Sequence, residues 1–330
     1  MEALRYRAIG IALVAAALTG ASYRTANFVV QTADPRHAEL FGNAAEHWRK
    51  ELARQWLGEE LPTWYQPCLM TVQVGPHLGA GGATSFVFDR GEVFGWRMQI
   101  QGSAERVVDS VLPHEITHMI FASYFRAPLP RWADEGAATS VECPSERAKH
   151  RQMLVQFLRT GRGIALSDML RMTEYPADVM PLYAQGYALA DYLIQQGGRR
   201  RYVDFLSDGM RNQQWVAALA KWYGVKDLAA LQNQWLAWVA AGFPSLETSA
   251  PAPEERGPNQ LAQGDRRPRR PAPNLVLHIT GAAPLPPQNP GAGRAGCTPQ
   301  GAASEETRTW QLAHPQPIER PRSAVLSWAR

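Results

Sequence analysis

The sequence predicts an α+β fold: a small N-terminal antiparallel-type sheet followed by a helical body and a disordered C-terminal tail. Stretches of β character bounded by Gly, Pro and Asp crowd between Leu69 and Ile100. From Ser103 to Gly242 the apolar residues recur at helical spacing instead. Strands first and helices after, rather than in alternation, is the order of an α+β chain. With 330 residues, 45% of them hydrophobic, there is enough chain for one large domain or two ordinary ones.

Taken in order, the chain opens with Arg5 and Arg7 before an uncharged apolar run from Ala8 to Ala21, closed by the small residues Gly20, Ala21 and Ser22. That is the layout of a secretory signal peptide over residues 1–21, with cleavage after Ala21. As a helix the run rises only ~21 Å against a hydrocarbon core of roughly 30 Å, so a membrane span is the weaker reading and an uncleaved N-terminal tether the alternative. Either way the chain is expected to be exported: periplasmic, extracellular or tethered to a membrane. Pro35 followed by Leu40, Ala44, Ala45, Trp48, Leu52 and Trp56 marks one face of an amphipathic helix. Strands are predicted over Leu69–Val74, Thr84–Phe88 and Glu92–Ile100, with Asp89-Arg90-Gly91 as the hairpin turn between the last two and Gly79–Gly82 as a mobile loop. The globular domain is expected to span residues 28–242. Beyond it, over residues 243–330, lie 15 of the 25 prolines, a composition that predicts disorder. Two short apolar patches there, Leu275–Ile279 and Ala324–Trp328, are candidates for docking elsewhere.

Composition also removes function classes. A net charge of +4 with Lys and Arg scattered among carboxylates gives no basic stripe for nucleic acid, and the Arg266–Arg270 cluster reads as a solvated linker. Three cysteines without a Cys-x-x-Cys pair exclude a stapled mini-fold, a zinc ribbon and an iron–sulfur cluster. Cys68 and Cys143 either pair in an oxidising compartment or stay as buried thiols.

The chemistry is expected in Pro113-His114-Glu115-Ile116-Thr117-His118. On a helix, residues i and i+4 share a face, so both imidazoles meet one point with Glu115 beside it. Zinc suits two neutral imidazoles and a third protein ligand, with a fourth position left for water. That third ligand is expected from Pro130-Arg131-Trp132-Ala133-Asp134-Glu135-Gly136, where Glu135 projects from a second, antiparallel helix. His150 has no motif that brings it to the metal.

These residues resemble the gluzincin metallopeptidases, whose Trp-x-x-Glu-Gly helix supplies the third zinc ligand, and most of all the "peptidase MA-like" bacterial proteins. Tyr183-Ala184-Gln185-Gly186 is similar to a Tyr-x-x-Gly segment whose Tyr stabilises the tetrahedral intermediate, and Tyr223-Gly224 to Trp235 is a similar trailing run. The resemblance covers about Phe28 to Gly242. It implies zinc held by His114, His118 and Glu135, Glu115 as general base, Tyr183 as oxyanion donor, and a peptide or protein substrate. One departure narrows this: where gluzincin aminopeptidases carry a Gly-Ala-Met-Glu-Asn strand, the nearest text is Gly95-Trp96-Arg97-Met98-Gln99. Gln99 cannot pair with a free ammonium, which favours endopeptidase action. The Phe94–Ile100 strand is then expected to receive an extended peptide by strand addition. Two rivals remain: a zinc-containing binding or scaffold module without turnover, and a metal-free helical protein.

Overall fold

The computed structural model describes residues 20–172, 174–246 and 276–281, the last as backbone. Its sheet has the order β1-β2-β3-β5-β4-β6. The strands are β1 (Ala21–Arg24), β2 (Phe28–Thr32), β3 (Cys68–Val74), β4 (Gly81–Asp89), β5 (Glu92–Gly102) and β6 (Val276–Gly281). The expected α+β order holds, but the sheet is mixed rather than antiparallel: β2, β3 and β5 run parallel. The cause is α1 (Pro35–Leu57), a helix of 23 residues between β2 and β3. A connection of that length returns the chain to the same end of the sheet, which makes the next strand parallel. Seeing this from sequence required β1 and β2, two short strands that carry too few residues for a periodic signal.

Local chemistry fixes the ends of these elements. Asp34 caps α1 by accepting from the Arg36 amide at 2.9 Å, Pro35 opens its first turn, and Gly58 closes it at φ 81°. Asn27 ties the crossover together: its amide groups bond Glu46 on α1, and its side-chain oxygen accepts from the Trp64 amide at 2.9 Å. Arg90 and Gly91 both take positive φ in the β4–β5 turn, the geometry a two-residue hairpin needs.

The helical body then covers one face of the sheet. A short turn, α2 (Ala104–Arg106), leads into a π-helical segment over Val107–Val111 and on without a break into α3 (Leu112–Phe125). Every residue of α3 from Leu112 to Ala122 is buried, as in a helix enclosed on all sides. Next come α4 (Arg131–Ser140), α5 (Pro144–Arg159), α6 (Leu166–Met169), α7 (Met180–Met210, interrupted at Gly198), α8 (Trp215–Tyr223) and α9 (Leu228–Ala240). Trp56, Phe121, Trp132, Tyr202 and Phe205 form the aromatic centre of the core.

Several expectations change here. Gly81 and Gly82 belong to strand β4, and Ala80 is buried, so the segment expected as a mobile loop is held in the sheet. The Phe94–Ile100 stretch lies in β5, bordered by β4 on one side and from Arg97 onward by β3 on the other, so Arg97–Ile100 offer no free edge to a peptide. Cys68 and Cys143 are both buried and are not paired with each other. The domain extends past Gly242: Phe243 packs on Trp238 at 5.1 Å, and the Leu246 amide donates to Gln195 at 3.1 Å. Within the Pro-rich tail Val276–Gly281 forms β6 against β4, while the rest of the disordered-tail expectation lies outside the described residues. So does the leader over residues 1–21, apart from Gly20 and Ala21, and Ala21 opens β1. Among the described residues no helix is long and apolar enough to cross a membrane.

Candidate metal centre

His114 and His118 stand one turn apart on α3, with ring centroids 4.9 Å from each other, and Glu135 faces them from α4. One ligand atom from each lies within 4.8 Å of the others, and all three residues are buried. Glu135 Oε2 is 3.5 Å from His114 Nε2 and 3.7 Å from His118 Nε2, beyond normal hydrogen-bond length. These three atoms, together with Glu115 Oε1, make no hydrogen bond although each is shut off from solvent. Buried polar atoms left this way are costly, and four of them in one place mark a site shaped for a cation and a polar ligand. The group can hold a metal ion. Among the described residues no second cluster of this kind occurs.

The far side of each ligand is fixed. His114 Nδ1 pairs with Glu142 Oε1 at 2.7 Å, and His118 Nδ1 with Asp134 Oδ1 at 2.8 Å. A carboxylate on Nδ1 keeps that proton in place and turns the Nε2 lone pair toward the metal position. Glu135 Oε1 accepts from Tyr175 at 2.5 Å and from Tyr183 at 3.3 Å, leaving Oε2 for an ion. The two phenol rings stack within 10° of parallel, and the Arg131 guanidinium lies 4.4 Å over the Tyr175 ring.

Charge follows the same pattern. Burial alone pushes both imidazoles toward the neutral form. Glu135 and Glu142 around His114, and Asp134 and Glu135 around His118, overcome this and raise both above the ordinary imidazole range. Surroundings that favour an imidazolium favour a metal cation in its place. Burial lifts the Glu115 carboxyl above the usual carboxylate range, against the two imidazoles and the Thr84 hydroxyl, which pull it down. Burial, and then the charge of Glu135, also lift Tyr175 and Tyr183, so both keep their phenolic protons.

The fold imposes this geometry through two close approaches. Thr84 of β4 donates to Glu115 Oε2 at 2.6 Å, and a methyl group on Gly82 would lie 2.7 Å from Glu115 Oε1. The strand bordering the site is therefore β4, not the Phe94–Ile100 strand. A methyl group on Gly136 would lie 2.4 Å from the Gly186 carbonyl oxygen, and one on Gly186 would lie 2.8 Å from that of Trp132. The glycines of the Trp-x-x-Glu-Gly and Tyr-x-x-Gly segments are thus facing partners that press α4 against α7, setting Glu135 and Tyr183 side by side.

The expected site residues His114, Glu115, His118, Glu135 and Tyr183 all meet here. His150 is buried and lines the same pocket as His114, Glu142 and Tyr183, but it is not one of the three clustered ligands. Reasoning from sequence missed Gly82, Thr84, Asp134, Glu142 and Tyr175. Asp134 stood inside the quoted motif, and its neighbour Glu135 gave the means to find it. Glu142 and Tyr175 carry no local signal, since only the packing of α3, α4 and α7 brings them in. No family profile matches the chain, and no curated protein or solved structure matches it either.

Proposed function

We propose that the protein is an exported zinc-dependent peptidase that cleaves within extended peptides. The observation carrying this reading is the convergence of three buried ligand atoms that make no hydrogen bond, from His114, His118 and Glu135, with the likewise unbonded Oε1 of the buried Glu115. Two imidazoles and one carboxylate are a donor set suited to zinc that leaves a coordination position open for water, and a purely structural site has no use for a buried carboxylate beside it. Bound there, zinc supplies Lewis acidity that lowers the pKa of water toward ~7 and polarises a carbonyl.

The chain's own groups do the rest. Glu115, pinned at Oε2 by Thr84, takes a proton from the attacking water at Oε1 and passes it to the leaving nitrogen. Its raised carboxyl range suits it to both halves of that transfer. Tyr175, the shorter contact, keeps Glu135 oriented, while Tyr183, the longer one, turns its hydroxyl to the oxyanion. Gly81–Ser85 at the site end of β4 carry no carboxylate to pair with a free ammonium, so the case for internal cleavage passes from Gln99 to these residues.

The test is zinc content together with digestion of a peptide library, for the wild type and for Glu115→Gln. The variant should keep its zinc and lose about 10²- to 10⁴-fold in rate, the usual worth of a general base. Equal rates would remove the mechanism. A wild type that holds zinc and cleaves nothing in the library would favour the binding-module reading.

A further inference from the structure

β4 borders the metal centre: its Thr84 donates to Glu115, and Glu115 fills the space that a side chain on Gly82 would need. β5 pairs with one side of β4, which leaves the opposite backbone groups as a template for another extended chain. Val276–Gly281 takes that position, antiparallel, from Phe88↔Val276 to Ala83↔Gly281. Its C-terminal end points toward Glu115, pairing stops one residue short of Gly82, and β6 also approaches α3. The sequence suits the role: Asn274 to Ala283 contains no proline between Pro273 and Pro284, and Val276, Leu277 and Ile279 favour a strand.

We propose that Val276–Gly281 is a displaceable resident of the β4 edge, holding as an antiparallel strand the place from which it is released when a substrate peptide binds. The word substrate rests on the peptidase reading; the strand exchange does not. Pairing through backbone groups tolerates many sequences, so the surface fits extended, proline-free peptide as a class. A tethered occupant has an effective concentration on the order of mM, so a free peptide at ~10 μM with the same intrinsic affinity loses to it by roughly 100 to 1.

The experiment uses the full chain and a fluorescein-labelled peptide of the sequence Asn274–Ala282. In the variant Leu277→Pro with His278→Pro, neighbouring prolines remove amide donors on both sides of the strand, so β6 loses at least one ladder bond whichever side faces β4. Fluorescence anisotropy should show the peptide binding this variant at least tenfold more tightly than the wild type, with the melting transition and metal content close to wild-type values. In the wild type with saturating peptide, hydrogen exchange read by mass spectrometry should rise over residues 276–281 and stay slow over residues 83–88. The proposal is overturned if the folded variant binds no better than the wild type, if residues 276–281 stay protected at saturation, or if the variant does not fold, since β6 is then a permanent strand. Peptide exchange without hydrolysis in any form would uphold the edge and sink the peptidase reading instead.

Discussion

Gly136→Ala tests whether the contact between α4 and α7 is what aims Glu135. The added methyl group would lie 2.4 Å from the Gly186 carbonyl oxygen and 2.9 Å from Ala190 Cβ. Ordinary contact begins near 3.4 Å, so α4 must retreat by about 1 Å from a backbone that cannot rotate away. Overpacking of this kind costs typically 1–3 kcal/mol, and an unyielding partner puts this case near ~3 kcal/mol. For a domain of this size that corresponds to a fall of roughly 6–12 °C in Tm. Glu135 is the neighbouring residue and moves with the helix, whereas metal–ligand distances tolerate only about 0.2 Å, so metal affinity should fall at least ~100-fold. Scanning calorimetry and titration against a chromophoric chelator read the two effects. Gly161→Ala is the control: its φ of 70° strains an alanine, but open space surrounds it, so it should cost about 1–2 kcal/mol and leave metal affinity alone. A Gly136→Ala protein within 2 °C and twofold of wild type would refute the argument.

His118→Ala should release the metal and lower Tm, and unchanged metal content would remove His118 from the ligand set. Asp134→Asn leaves the ligands in place but weakens the hold on His118, so metal affinity should drop about 10- to 100-fold in chelator competition with the fold retained. Gly82→Ala would set a methyl group 2.7 Å from Glu115 Oε1 and push that carboxylate aside; peptide hydrolysis should fall by up to ~100-fold with zinc unchanged, and full activity would show that the close approach is immaterial. Burial, with Glu115's charge adding to it, pushes the Cys68 thiol up, so it should resist iodoacetamide in the native protein and react fully in guanidinium, as intact-mass measurement will show.

The parts of this molecule legible in sequence are those encoded by short, local patterns. The α1 helix, the Asp89-Arg90-Gly91 turn and the His114–His118 spacing are written in short local patterns and all three form, although of the face expected on α1 only Ala45, Leu52 and Trp56 are fully buried. Leu40, counted on the buried face of α1, is 45% exposed, because its angular position falls at the margin of the stripe. What was not legible depends on pairing between distant segments. Parallel β2–β3 pairing, the choice of β4 over β5 beside Glu115, and β6 all require a partner that no local window contains. Glu142 and Tyr175 are of the same kind: each looks like a surface residue until α3 and α4 are packed.

The π-helical segment before α3 gives this stretch of the gene little tolerance for insertion or deletion. Its Val108 carbonyl accepts from Trp48 Nε1 at 2.9 Å, and its Ser110 Oγ accepts from the Cys143 amide at 3.2 Å, so it is tied on two sides before the metal-facing helix begins. A π segment fits one extra residue into the rotation of an α turn, so losing one residue between Val107 and Val111 would restore regular α geometry with the following helix in nearly the same phase, whereas a gain or loss within α3 would turn all that follows by about 100°. What the shortened segment loses is its ties, because the Val108 carbonyl and the Ser110 hydroxyl can no longer both stand where Trp48 and Cys143 meet them. The spacing from Gly102 to His114 should therefore be constant among length variants of this protein that keep the site.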